Sequence, residues 1–143
     1  MTARAAPTGR GCDLLDDGEL VARFEALAIA PPELRHVEHV RIAYAMLRGG
    51  DLGDAAVRFR RALRRFAEAS GAADKLHETL TWAYLAVSAR RMAEDPAATT
   101  SHALIARHAD LLDHRGGAIA RHYDVAAITA SPLARAVFVL PER

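Results

Sequence analysis

Three histidines in this chain stand where imidazoles could work together. His36 and His39 are three residues apart, and on a helix advancing roughly 100° per residue they share a face with Val40, Ala43, Met46 and Leu47. Side chains at that spacing have Cβ atoms about 5 to 6 Å apart, close enough for two imidazoles to meet one ion. The same count sends Arg35, Glu38, Arg41 and Arg48 to the other sides. Farther along, the stretch from Lys75 to Ser88 is apolar nearly all round, which predicts a helix running through the middle of the fold. Its polar residues His77, Thr81, Tyr84 and Ser88 recur at i, i+4, i+7 and i+11, a single hydrophilic seam. Such a seam either bonds its own backbone, a habit of Thr and Ser, or lines a small-molecule pocket.

Together His36, His39 and His77 make a three-nitrogen set suited to Zn, Fe, Cu, Ni or Mn, with Glu78 as an oxygen ligand or acid/base group. Tyr84 and Thr81 would then line the substrate pocket, Tyr84 within reach of the chemistry. The spacing is not the HExxH pattern of zinc proteases, because the His-Glu-Thr run lacks a second histidine four residues on. Metal-free readings use the same atoms: neutral imidazoles as base and donors around an organic ligand, or histidines that bond backbone at the edge of the core. Glu78 has a plain reading too, as a first-turn carboxylate that complements the helix dipole.

Arg58, Arg60, Arg61, Arg64 and Arg65 lie opposite an apolar stripe of Phe59, Leu63 and Phe66, as a solvated face or a docking surface for an acidic partner. Of His102, His108, His114 and His122, only His108 joins an inward stripe.

The elements that must position these groups are helices. Asp16 or Asp17 caps a first helix over about 17–30, which Pro31-Pro32 ends. A second covers about 32–48 and stops at Gly49-Gly50; a third, capped by Asp51 or Asp54, covers about 53–69 and stops at Gly71. A fourth covers about 74–93. Thr100 or Ser101 opens a fifth, closed by Gly116-Gly117. A short helix around 118–123, a turn, and a last helix with Ser131 as cap and Pro132 in its first turn complete the chain. Val137 to Leu140 could be extended. The fold expected is therefore an all-α bundle of five to six helices. The Tyr44–Phe66 stretch looks like one tetratricopeptide helix pair, but no second copy follows 34 residues later, as a repeat array requires.

Length and composition bound the rest. The 143 residues, 51% of them hydrophobic, suit one domain, expected over 16–143 behind a disordered or loosely docked leader at 1–15. The net charge of +1 gives no chain-wide field for nucleic acid or anionic lipid. No run of about 20 apolar residues and no signal-peptide core is present, so a cytoplasmic location is expected. The single cysteine, Cys12, cannot form an internal disulfide.

From the second helix onward the sequence resembles a family of small bacterial proteins, often met in actinobacteria, that carry an HxxHV or HxxHL helix followed by a YHETIT-like helix. The matching text is His36-Val-Glu-His39-Val-Arg-Ile-Ala-Tyr44, Leu63-Arg-Arg-Phe66, His77-Glu-Thr-Leu-Thr-Trp82-Ala-Tyr84, Ala109-Asp110-Leu-Leu112, His122-Tyr123 and Ser131 to Pro141. It covers about residues 19–143. The family has an aromatic residue two positions before the first histidine and a tyrosine before His-Glu-Thr, where this chain has Leu34 and Leu76. The resemblance implies a helical fold and a shared His/His/His-Glu pattern, and it brings no activity with it. It adds Ser131 and Arg135 as polar groups that the C-terminal segment would return to the site. The expectation from sequence is a small metalloenzyme acting on a metabolite, alone, as a homodimer or beside a partner enzyme. Its alternative is a metal-free binding or interaction protein whose histidines form a structural network.

Overall fold

A computed structural model of the chain describes residues 11–142, which form seven α-helices and no strand. Local chemistry sets most of the boundaries. Asp16 caps α1 (Asp17–Glu25), its carboxylate accepting the Glu19 N–H at 2.8 Å. In α2 (His36–Arg48) the Glu38 carboxylate reaches back to the Arg35 N–H at 2.9 Å. The prolines build a separate 3-10 turn, Pro31–Glu33, so α2 starts four residues later than expected and His36 stands in its first turn. Asp51 caps α3 (Leu52–Ala69), and Gly71 stops it with φ of 68°, a left-handed conformation in which the Ala72 N–H reaches back to the Ala67 carbonyl at 2.8 Å.

The fourth helix also begins late. Ala73–Lys75 is a 3-10 turn, and α4 (Glu78–Glu94) is capped by His77, a residue expected inside it. Thr100 caps α5 (Ser101–Arg107). The stretch expected to hold a short helix and a turn instead gives a 3-10 turn at Ile119–Arg121 and then α6 (Val125–Ala130), because Asp124 supplies a cap that accepts the Ala127 N–H. Ser131 and Pro132 open α7 (Pro132–Ala136) as anticipated. The count is thus seven helices where five to six were expected. Residues 137–142 form neither helix nor strand, and Thr79 pins them: its Oγ1 donates to the Val137 carbonyl at 2.9 Å and accepts the Val139 N–H at 3.0 Å.

The central element is α2, which packs against α1, α3, α4 and α5. Its outward-counted residues Glu38 and Arg41 are accordingly buried, both at 0% exposure. Helical periodicity identifies one apolar face but is silent on whether a neighbour covers the opposite one. On the other side of α2, Phe24 meets Phe59 and Phe66 at ring separations of 6.3 and 5.6 Å. The leader expectation needs a matching correction. Residues 1–10 lie outside the described part, but Cys12 and Leu15 are buried in the core, and a 3-10 turn at Cys12–Leu14 presents its carbonyls inward. The Arg41 guanidinium donates to the Cys12 and Leu15 carbonyls, both at 2.7 Å, and to Ser101 Oγ at 2.9 Å. Asp17 completes the cluster, 3.4 Å from the guanidinium and bonded to the Ser101 hydroxyl and N–H. One buried cation thus ties the N-terminal segment, α1, α2 and α5 together.

Candidate functional site

Where α2, α3 and α4 meet, the packing leaves a cavity of about 520 Å³. The offset between the ends of these helices creates it, since α3 stops at Gly71 and α4 starts only at Glu78, with the intervening 3-10 turn forming a lip. From α2 come His36, His39, Val40 and Ala43; from α3 come Phe59, Leu63, Phe66 and Ala67. The lip adds Lys75, Leu76 and His77, α4 adds Leu80, Thr81, Tyr84, Leu85 and Ser88, and the chain before α2 contributes Leu34. His114 reaches the cavity from the loop after α5. Its ring centroid is 5.7 Å from that of His36, which in turn meets Tyr84 edge-on at 4.8 Å. Leu34 and Leu76 are both cavity residues.

The three histidines share this wall but differ in what their nitrogens do. His77 is fully committed. Its Nδ1 accepts the Leu80 N–H at 3.1 Å as the cap of α4, which leaves the proton on Nε2 to be donated to the Ile128 carbonyl at 2.8 Å. A metal ion would have to break one of those bonds. His36 donates through Nε2 to the Leu111 carbonyl at 2.8 Å. His39 is different: its Nε2 is covered from solvent and has no hydrogen-bond partner. Burial, with His36 nearby, pushes its pKa down to about 4, so the ring is neutral at physiological pH. Burial and His114 also lower His36, against the opposing effect of its bond to Leu111. Among the described residues, no three His, Cys, Asp or Glu side chains are grouped so as to hold a metal ion.

The seam along α4 divides in two. All four of its residues line the cavity. His77 is bonded as above, and Thr81 donates to the His77 carbonyl at 2.8 Å, the backbone habit expected of threonine. Tyr84 Oη and Ser88 Oγ, one and two turns farther on, are covered and unpartnered. Burial, with Asp113 adding to it, pushes the Tyr84 phenol up to about 12. Native proteins pair nearly all buried polar atoms, and each one left unpaired costs about 1 to 3 kcal/mol. Three of the four such atoms identified among the described residues belong to this one cavity; the fourth, Glu33 Oε2, lies outside its lining.

The remaining expected site residues sit elsewhere. Glu78 is spent on the far side of α4, where its carboxylate accepts from Arg60 at 2.6 and 3.0 Å and from the Trp82 indole at 2.7 Å. Burial opposes its charge, but these donors outweigh burial and hold its pKa below the usual carboxylate value. Ser131 accepts the Ala134 N–H as the cap of α7. Arg135 is a strut, donating to the Asp74, Leu76 and Thr129 carbonyls at 2.9, 3.0 and 3.3 Å. Neither lines the cavity. Arg135 nevertheless holds the chain on both sides of Lys75, and so the lip itself. The arginine face of α3 is largely solvent-exposed, as one of its two readings had it, and part of it is paired within the molecule: Arg58 with Glu25, Arg60 with Glu78, and Arg65 donating to the Glu25 carbonyl. His114 is the cavity residue that sequence reasoning passed over, since nothing local marks a loop histidine as lying beside His36.

Comparison with protein-family models, with curated proteins and with solved structures returned no match.

Proposed function

We propose that this protein binds one small, largely apolar molecule in the cavity between α2, α3 and α4, with His39, Tyr84 and Ser88 as its polar anchors. The observation that carries this reading is the coincidence of three covered, unpartnered polar atoms with a single apolar-walled cavity. Its size falls within the roughly 300 to 1,000 Å³ of small-molecule sites, which are likewise mostly apolar with a few placed polar groups. An occupant that bonds those atoms would offset the cost of burying them without a protein partner. The three-histidine metal site asks for more, because His77 would have to uncap α4 or release Ile128 to coordinate an ion.

Fluorescence titration with pyrene, a neutral apolar probe, tests the reading. Saturable binding at one site is expected, with pyrene's vibronic bands shifting to an apolar pattern. Ala43→Leu on α2 and Ala67→Leu on α3 each enlarge a side chain that lines the cavity. Each should abolish most of the binding while the helical circular dichroism is retained. Absence of saturable binding, or equal binding by both filled variants, would overturn the proposal.

A further inference from the structure

Resting on that binding reading, we infer that the cavity selects an uncharged oxygen function, as in an aliphatic alcohol, ketone or ester, and turns away ionised head groups. The unpartnered atoms belong to three cavity residues: Tyr84 Oη and Ser88 Oγ, from residues one turn apart on α4, and His39 Nε2 from α2. Two hydroxyls can both donate to one carbonyl or alcohol oxygen, while a neutral imidazole offers either a donor or an acceptor.

Charge has no counterpart inside. The titratable residues lining the cavity are His36, His39, His77, His114, Lys75 and Tyr84, with no Asp, Glu or Arg among them. Lys75, the chain's only lysine, is exposed on the lip, and His114 is exposed beside it. Desolvation keeps His39 uncharged down to about pH 4 and Tyr84 uncharged up to about pH 12, so the site disfavours charge of either sign. A carboxylate at the inner anchors would be desolvated without a cation, and an ammonium would be desolvated without an anion. A fatty acid lying the other way, its carboxylate on Lys75, would press alkyl chain against the two hydroxyls and leave them unpaired.

Displacement of bound pyrene by decanol, decanoate and decylammonium, each below its aggregation threshold at about pH 8 where decanoate is ionised, separates these cases. Decanol should displace pyrene at concentrations at least about tenfold lower than either ion. Ser88→Ala and Tyr84→Phe should each weaken decanol by about three- to tenfold relative to pyrene measured on the same variant, the value of one neutral hydrogen bond. Decanoate equal to or stronger than decanol overturns the inference, and loss of that binding in Lys75→Met would reassign the ligand as an acid held at the lip. Decanol binding unchanged in both hydroxyl variants also overturns it. Pyrene that fails to bind the unaltered protein removes the binding reading and this inference together.

Discussion

Ser88 is a serine where packing alone would favour an alanine. Its hydroxyl is buried on α4 with no partner among the described residues, and an unpaired buried hydroxyl is costly. Ser88→Ala should therefore leave stability in urea unchanged or raise it by up to about 1 kcal/mol, even as it weakens binding. A loss of more than about 1 kcal/mol would mean that the hydroxyl has a structural partner. His39 gives a second expectation, with a definite sign. Its folded-state pKa of about 4 lies below the ordinary histidine value of 6.5, so between those values the unfolded chain binds more protons than the folded one. The contribution is complete above about pH 6.5 and is lost as pH falls toward 4, amounting to about 2 kcal/mol by pH 5. His36 shifts in the same direction. Urea unfolding at about pH 7.5 and pH 5 should show this loss, and His39→Gln should flatten much of it; an equal slope in the variant would contradict the buried neutral imidazole. The sequence marked His36, His39 and His77 as a group, and all three do line one cavity. It could not assign their nitrogens, because the partners, Leu111 and Ile128, come from distant segments.

At the level of elements, caps and stripes were legible because they are local. Asp16, Asp51, Thr100 and Ser131 each open a helix as their positions suggested. Arg41 was not legible, since its burial depends on the N-terminal turn and α5 folding over a face that periodicity leaves blank. Arg41→Ala would strip the Cys12 and Leu15 carbonyls and Asp17 of their common donor, and should cost about 3 to 5 kcal/mol in chemical unfolding. A cost under about 1 kcal/mol would show that the N-terminal turn is not held by this residue. Gly117 limits the loop that carries His114. A Cβ there would collide with the carbonyls of Asp110 and Asp113, which accept the Ala118 and Gly117 N–H groups. Gly117→Ala should thus lower the thermal midpoint by several degrees and accelerate amide exchange over residues 110–118. Unchanged exchange would mean that the loop tolerates the displacement.

Across the whole molecule two apolar features compete for a hydrophobic ligand. One is the cavity. The other is the surface formed by Leu133, Val137, Phe138 and Leu140 near the C-terminus, all exposed. Ligand binding belongs to the cavity because, among the described residues, it combines apolar walls with three unpartnered polar atoms. Residue-resolved chemical-shift mapping during a pyrene titration tests this most directly, since it reports location as well as affinity. Saturable shifts are expected on the Ala43 and Leu85 methyls and the Tyr84 ring, with Leu133 and Leu140 unmoved. Saturable shifts confined to residues 133–140, or no saturable shift anywhere, would contradict it.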